Sequence, residues 1–229
     1  MQWGCLFLVC AAFVTVESTV ERRSRSCRYL QRCLDSYNSF PDPTSPAVLT
    51  NMSTSGGIAG FCQATRPLPR CVVSRVRRCH HSRTANKARV AASVTMYLCR
   101  PSTRAELVHL SEILQAGSTC LDNPAVEGQI DAEVDGCMAE LDRANDDLMI
   151  EIELGLKTLE DMCPLTQELV WCSVAAFAVH CHPLLVDFFD GVLSHALEAA
   201  TYQIGCSLEG TRHTRDVLAE TKDLLKRMK

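Results

Sequence analysis

Cysteine and histidine stand side by side at two places in the chain, and both side chains are common zinc ligands. The first place is Cys79-His80-His81 and the second is His180-Cys181-His182. A zinc site needs cysteine thiolates, which an oxidising compartment converts to disulfides, so only the histidines would remain as ligands. Histidines near helix C-termini also interact favourably with the helix dipole and the last carbonyl groups. We therefore expect neither a metal site nor a cofactor here.

The cysteines follow a frame that occurs twice in the chain. In each copy eight residues separate the first two cysteines, a histidine follows the third, and a fourth cysteine comes later. The first copy consists of Cys62, Cys71, Cys79 and Cys99, and the second of Cys163, Cys172, Cys181 and Cys206. Cys33 and Cys137 extend the correspondence by one position. The frame predicts two related units.

An even number of cysteines is expected in the mature chain. Of the 14 cysteines, Cys5 and Cys10 lie in a predicted signal peptide, which leaves twelve. An even set at repeated spacing in a secreted chain indicates a disulfide framework. Each copy has five corresponding cysteines and needs one more, so we predict that Cys27 completes the first copy and Cys120 the second. A bridge between the copies is the alternative. The predicted disulfide cysteines are Cys27, Cys33, Cys62, Cys71, Cys79, Cys99, Cys120, Cys137, Cys163, Cys172, Cys181 and Cys206.

The N-terminus has the pattern of a secreted protein. An apolar run from Cys5 to Val16 is too short to span a bilayer, and Ser18 is small enough for the position before a signal-peptidase cut. We predict a signal peptide over 1–18, with an uncleaved anchor as the alternative. No later stretch is expected to cross a membrane.

Two further patterns indicate processing on the secretory route. Arg22-Arg23-Ser24-Arg25 fits an R-x-x-R pattern and predicts a short propeptide over 19–25 that ends at Arg25. A solvated basic tail is the alternative. Asn51-Met52-Ser53 is an N-x-S/T sequon, so we expect Asn51 to carry a glycan. These patterns and the cysteine frame predict a secreted, extracellular protein.

Hydrophobic residues recur at steps near three and four, with little strand-like alternation, which predicts an all-α, disulfide-stapled protein. We divide it into a first cysteine-framed helical unit over 26–117 and a second over 118–229. Within the first unit, 39–60 is rich in proline, serine and glycine, so a flexible loop is expected there. The longest helix is expected over about 125–162. An amphipathic helix with a basic end is expected over 211–229.

Charge is unevenly distributed, although the net charge is only −4. No acidic residue lies between Asp42 and Glu106, whereas 122–161 is densely acidic. The basic stretch predicts a patch for an acidic partner, such as a sulfated polysaccharide, an anionic membrane or an acidic receptor face. Docking of the basic unit near the acidic helix is the alternative. The predicted basic patch consists of Arg70, Arg75, Arg77, Arg78, Arg83, Lys87 and Arg89.

Nucleic acid is not expected as a partner, because the compartment is wrong and the patch lacks interleaved aromatic residues. Catalytic motifs are missing as well: the sequence has no Gly-x-Ser-x-Gly elbow, His-Glu-x-x-His helix or EF-hand loop. Secreted phospholipases carry Cys-Cys-x-x-His-Asp, and Cys79-His80-His81 lacks the double cysteine and the aspartate. Asp131, Glu133 and Asp135 alternate and do not share one helix face, which disfavours a calcium site. We therefore do not expect an enzyme.

We interpret the chain as a secreted disulfide-rich binding protein without catalytic activity, for example a defence, venom or signalling factor. Its expected partner is an extracellular protein or an acidic polysaccharide. The alternative is a carrier of a small apolar molecule in a cavity between helices, lined by Phe177, Phe188 and Phe189, although these rings are more simply interpreted as core. A secreted hydrolase is the second alternative. The oligomeric state is not indicated by the sequence.

Overall fold

The structure is a computed structural model in which most of the described chain is helical. The described residues are 25–38, 54–76, 79, 83–115, 120, 123–202 and 206. They contain helices and no strand, as the sequence predicts. The predicted signal peptide with Ser18, the sequon at Asn51 and the predicted helix over 211–229 lie outside the described residues.

The helices are numbered in chain order. The first half of the chain contains α1 (Arg25–Asn38), α2 (Ser55–Thr65), α3 (Leu68–Val76), α4 (Arg83–Leu98) and α5 (Pro101–Gln115). The second half contains α6 (Pro124–Glu153), a 3₁₀ turn (Leu159–Met162), α7 (Cys163–His180) and α8 (Pro183–Thr201). Proline is the first residue of α5, α6 and α8. A proline is favoured there because an N–H group at the first helical position makes no hydrogen bond within the helix, so its absence costs nothing.

Contacts divide the chain into two compact units. The first takes in Met1–Thr119 and Gly191–Gln203, and the second takes in Cys120–Asp190 and Ile204–Lys229; only their described residues are discussed. α8 therefore contributes its first part to the second unit and its later part to the first unit. The prediction of two related units over 26–117 and 118–229 stays a prediction.

The core of the first unit lies where α1, α3 and α4 pack together. α4 contributes small side chains at steps of three and four residues, so its neighbours approach it closely. The buried residues of this cluster are Leu30, Cys33, Leu34, Leu68, Val72, Cys79, Ala85, Ala88, Ala91 and Ala92. The packing fixes α1 beside α3, so the polar residues on their outer faces become neighbours.

The core of the second unit is built around aromatic rings of α7 and α8. Phe177 stacks on Phe189 with 4.7 Å between the ring centroids, and Phe188 meets Phe189 edge-on at 5.9 Å. All three side chains are buried. Burial of each such ring contributes about 1.5–3 kcal/mol. These rings contact one another and fill the core.

The longest helix ends earlier than predicted. α6 stops at Glu153 because Gly155 adopts a positive φ of 73°. The N–H of Gly155 donates to the carbonyl of Ile152, and the N–H of Leu156 donates to the carbonyl of Glu151. This pair of hydrogen bonds is a Schellman motif, which ends the helix. Glycine adopts the left-handed conformation that the motif requires without a steric penalty. The expected continuous helix over 125–162 is therefore wrong, and Leu156, which follows the end of α6, is exposed.

The predicted loop over 39–60 also ends earlier than expected, since α2 begins at Ser55. The hydroxyl of Thr54 caps this helix by accepting a hydrogen bond from the N–H of Gly57 at 3.0 Å. Ile58 and Phe61 are each only 2% exposed. Their burial outweighs the weak helix propensity of the glycines, about 1 kcal/mol each. Residues 39–53 lie outside the described residues.

One described stretch, Leu159–His180, has the length and apolar character of a membrane-crossing helix, with a mean hydropathy of 1.4. Half of that window is buried inside the protein, which is typical of a core helix. The expectation that no stretch after the predicted signal peptide crosses a membrane stays a prediction.

Candidate functional site

Six pairs of cysteines lie at disulfide distance, three in each unit. Their Cα atoms are 5.0–6.3 Å apart, within the usual range for this bond. The pairs in the first unit are Cys27–Cys79, Cys33–Cys71 and Cys62–Cys99. Those in the second unit are Cys120–Cys181, Cys137–Cys172 and Cys163–Cys206. No pair joins a cysteine of one set to a cysteine of the other.

The pairing follows the same order in both sets. Cys27 and Cys120 could not be aligned from the sequence, yet their partners Cys79 and Cys181 occupy corresponding places in the two frames. Cys27 and Cys120 are therefore equivalent in the pairing.

A tyrosine on α1 gathers two arginines at the surface of the first unit. The guanidinium of Arg75, on α3, lies 5.1 Å from the ring centroid of Tyr29, and that of Arg32 lies 5.3 Å from it. Cation–π contacts of this kind contribute about 0.5–1 kcal/mol at exposed sites. Among the described residues, no carboxylate lies at ion-pair distance from either arginine. The ring thus brings two positive charges together at the surface of the first unit.

The predicted basic patch is partly described. Arg70, Arg75 and Lys87 are exposed on α3 and α4. The side chain of Arg83 is not described although the residue begins α4, and Arg77 and Arg78 lie outside the described residues. Arg28 and Arg32 on α1 are also exposed, and they are not members of the predicted patch.

Arg89 differs from the exposed members of the patch because it is half-buried. Its Nη1 donates to Oδ1 of Asn86 at 3.0 Å, and its guanidinium lies 5.8 Å from the ring centroid of Tyr202. Burial lowers the pKa of the Arg89 guanidinium, and the nearby Tyr202 opposes this. Arg89 therefore serves contacts inside the first unit.

The histidines considered as metal ligands have other contacts. His180 Nε2 lies 3.1 Å from Oε1 of Glu133, and the N–H of Leu184 donates to Nδ1 of His182 at 3.3 Å. Within the described ranges, no three side chains of ligand type converge on a point. His80 and His81 lie outside those ranges.

The acidic helix α6 brings carboxylates together in the second unit. Burial raises the pKa of Asp131, and the like charges of Glu127 and Asp135, one helical turn away on either side, raise it further. Glu133 contacts His180 instead. Glu127, Asp131 and Asp135 therefore form a helix face on which like charges repel one another.

Two residues essential to the arginine cluster were missed from the sequence, namely Tyr29 and Arg32. Their spacing of three on a predicted helix was an available signal, because such residues are neighbours on a helix surface. The third member, Arg75, comes from another helix. Only the packing of α1 on α3 reveals that contact.

The fold and its cysteine pairs define a class: a mostly helical protein with many disulfide-linked cysteines, a combination typical of extracellular proteins. Arg25, the expected end of the propeptide, is the first residue of α1. No protein-family model, curated protein or solved structure matches the chain.

Proposed function

We propose that the protein is secreted and acts by binding an acidic extracellular partner on the basic surface of its first unit. We define this basic surface as Tyr29, Arg32, Arg70 and Arg75. The observation that supports it is the pair of guanidiniums held over one tyrosine ring without a carboxylate at ion-pair distance among the described residues. Both guanidiniums carry positive charge and lie near the same ring, so a bound anion would lower the repulsion between them.

The disulfide pair Cys33–Cys71 supports a rigid surface. It links α1 to α3, the two helices that present the arginines, with 5.8 Å between its Cα atoms. Guanidiniums that are already positioned lose less conformational freedom when an anion binds. Their planar shape also suits two parallel hydrogen bonds to a sulfate or carboxylate group. A sulfated polysaccharide offers many such groups in a row and is the partner that we favour.

Binding to immobilised heparin, a sulfated polysaccharide, tests the proposal. We expect retention at physiological salt that is lost at high salt, because exposed charges are screened. The double variant Arg32→Ala, Arg75→Ala is expected to bind about tenfold more weakly, as one or two charge-assisted hydrogen bonds are removed. Absence of wild-type retention at physiological salt would count against the proposal.

A matched control removes the same charge elsewhere. Arg143 and Lys157 are exposed in the second unit, and the double variant Arg143→Ala, Lys157→Ala is expected to bind as well as the wild type. Equal weakening by both double variants would show that only net charge matters. Arg75→Lys separates charge from geometry, since lysine keeps the charge but not the planar fork.

The carrier and the hydrolase remain alternatives without a specific supporting observation in the described part of the chain. Phe177, Phe188 and Phe189, the residues expected to line a cavity, contact one another. A lipid that co-purifies in native mass spectrometry would favour the carrier.

A further inference from the structure

Arg28 lies one helical turn before Arg32 on α1, and both arginines are exposed. Residues four apart on a helix are neighbours on its surface, with about 5–6 Å between their Cβ atoms. Within the described part of the chain, neither arginine takes part in an ion pair. The outer surface of α1 therefore carries two neighbouring guanidinium groups, and we call Arg28 and Arg32 the α1 pair.

The ring of Tyr29 distinguishes the two members of the α1 pair. The guanidinium of Arg32 lies 5.3 Å from the ring centroid, and that of Arg75 lies 5.1 Å from it. Arg28 precedes Tyr29 by one residue, so its Cβ lies about 100° away from that of Tyr29 around the helix axis. An anionic group bound between Arg32 and Arg75 thus leaves Arg28 for a second anionic group.

A carboxylate limits the basic surface on the other side of Arg32. Asp35 follows Arg32 by three residues and is exposed, so the two are neighbours on the surface of α1. Arg32 nevertheless lies over Tyr29, and the ion pairs of the described residues do not include Asp35. Asp35 repels an anionic chain, which is therefore expected to extend from Arg32 toward Arg28.

The charges of α1 oppose its helix dipole. Arg28 lies in the first turn, which contains no acidic residue, and Asp35 lies in the last turn, which contains no basic residue. A helix carries partial positive charge at its start and partial negative charge at its end, so both residues are unfavourable where they are. This arrangement does not stabilise α1, whereas an anionic chain bound along Arg28 and Arg32 would offset the excess positive charge.

We propose that Arg28 belongs to the basic surface and that this surface binds two or more neighbouring anionic groups of one chain. The inference rests on the proposed function and specifies its partner as a linear polyanion, such as a sulfated polysaccharide, rather than a single sulfate or carboxylate. The bound chain follows α1 from Arg32 to Arg28, which are about 6 Å apart along the helix axis. Arg28 contacts an anionic group that Arg32 and Arg75 do not contact.

Binding of a heparin octasaccharide to full-length Arg28→Gln tests this inference. The dissociation constant is expected to rise about tenfold, because one charge-assisted hydrogen bond is lost. The slope of log affinity against log salt concentration should become shallower by about one, because one counterion fewer is released. Inorganic sulfate, titrated at constant ionic strength, should bind no more tightly to the wild type than to Arg28→Gln. Tighter binding of sulfate to the wild type would contradict separate positions for two anionic groups.

Two controls distinguish a contact with the ligand from an effect of net charge or of folding. Arg143→Gln removes the same charge from the second unit and should leave the affinity and the salt slope unchanged. Arg28→Gln should raise the Tm by about 1–3 °C, because a positive charge in the first turn opposes the dipole. Weaker binding by Arg28→Gln together with a lower Tm would show a structural role for Arg28 and overturn the inference.

The same titrations separate this inference from the proposed function on which it rests. If the double variant Arg32→Ala, Arg75→Ala binds the octasaccharide more weakly than the wild type but Arg28→Gln binds it equally, only the role of Arg28 is refuted. If the wild type does not bind the octasaccharide at physiological salt, the proposed function fails as well. The expected order of affinity is the wild type and Arg143→Gln first, with Arg28→Gln and the double variant both weaker.

Discussion

The phenol oxygen of Tyr97 lies against Gly191, in the place that a side chain at position 191 would occupy. Tyr97 belongs to α4 and Gly191 to the part of α8 that packs in the first unit. The ring of Tyr97 also stacks on His195, with 4.4 Å between the ring centroids. His195 Nδ1 lies 2.8 Å from the carbonyl oxygen of Gly191. Glycine at 191 thus permits the close approach of α4 and α8.

Gly191→Ala is expected to lower the free energy of unfolding by about 1–3 kcal/mol relative to a glycine replacement in open space. The added methyl group displaces the Tyr97 ring from its stack on His195. Gly136→Ala is the matched control, since nothing lies within 4 Å of a side chain there and alanine raises helix stability by about 0.5–1 kcal/mol. Denaturant unfolding with intact disulfides measures both. Equal stability of the two variants would refute the contact.

Gly155→Ala is expected to destabilise the second unit by about 1 kcal/mol, because a residue with a side chain is strained at a φ of 73°. Gly155→Asn is expected to lose less, as asparagine tolerates the left-handed conformation better. Thermal unfolding of the three proteins provides the measurement. An alanine variant as stable as the wild type would mean that α6 continues through position 155.

Asp131→Asn is expected to stabilise the protein at neutral pH. Burial and the charges of Glu127 and Asp135 raise the pKa of Asp131, so its ionised form is disfavoured in the folded state. A raised carboxyl pKa means that this unfavourable contribution is present at neutral pH and is relieved as the pH falls through the folded pKa. The gain should be about 0.2–0.5 kcal/mol per like-charge pair removed and disappear near pH 3. Unfolding at a series of pH values measures it.

The control for this variant is Asp35→Asn on α1, which has no acidic residue three or four positions away. It is expected to give no gain at any pH. A gain at neutral pH from Asp35→Asn, or a gain from Asp131→Asn that persists at pH 3, would show that like-charge repulsion is not the cause.

Removing the Cys33–Cys71 pair by serine at both positions is expected to lower the free energy of unfolding by about 2–4 kcal/mol. The two cysteines are separated by 38 residues in the sequence. Without the bond between them, the unfolded chain gains conformational entropy. The same variant should also weaken heparin binding, because α1 and α3 are no longer linked. Unchanged stability would indicate that the two thiols are not joined in the folded protein.

Helical content follows from the spacing of the hydrophobic residues, and α6 and α8 begin at Pro124 and Pro183, where proline favours the first helical position. The end of α6 did not follow, because glycine inside a periodic pattern is only a weak sign of termination. What decides it is the pair of hydrogen bonds that close around Gly155. The start of α2 did not follow from the sequence either. A glycine-rich segment prefers a loop, but burial of Ile58 and Phe61 outweighs that local preference.

The sequence predicts a basic stretch at the candidate site, but it does not predict how the side chains of the site are arranged. The sequence predicts Arg75 as a member of the basic patch, and that patch stays a prediction. Its neighbour Tyr29 lies on a helix distant in sequence, so their contact depends on tertiary packing. Burial of Arg89 likewise depends on Asn86 and on Tyr202 of α8. The charge pattern of the sequence indicates a basic surface, and tertiary packing determines which of its charged side chains are exposed.

The cysteine pairs link the helices within each unit, and a peptide map of the non-reduced protein tests this pairing most directly. Trypsin cuts after the arginines and lysines between most neighbouring cysteines, Glu-specific cleavage at Glu127 and Glu168 adds two cuts, and chymotryptic cleavage at Tyr37, Phe177 and Phe188 adds three, so that the twelve cysteines fall on separate peptides. We predict six linked peptide pairs, three confined to each set, with Cys27 joined to Cys79 and Cys120 to Cys181. Free thiols at these positions, or a link such as Cys27 to Cys181, would contradict the account.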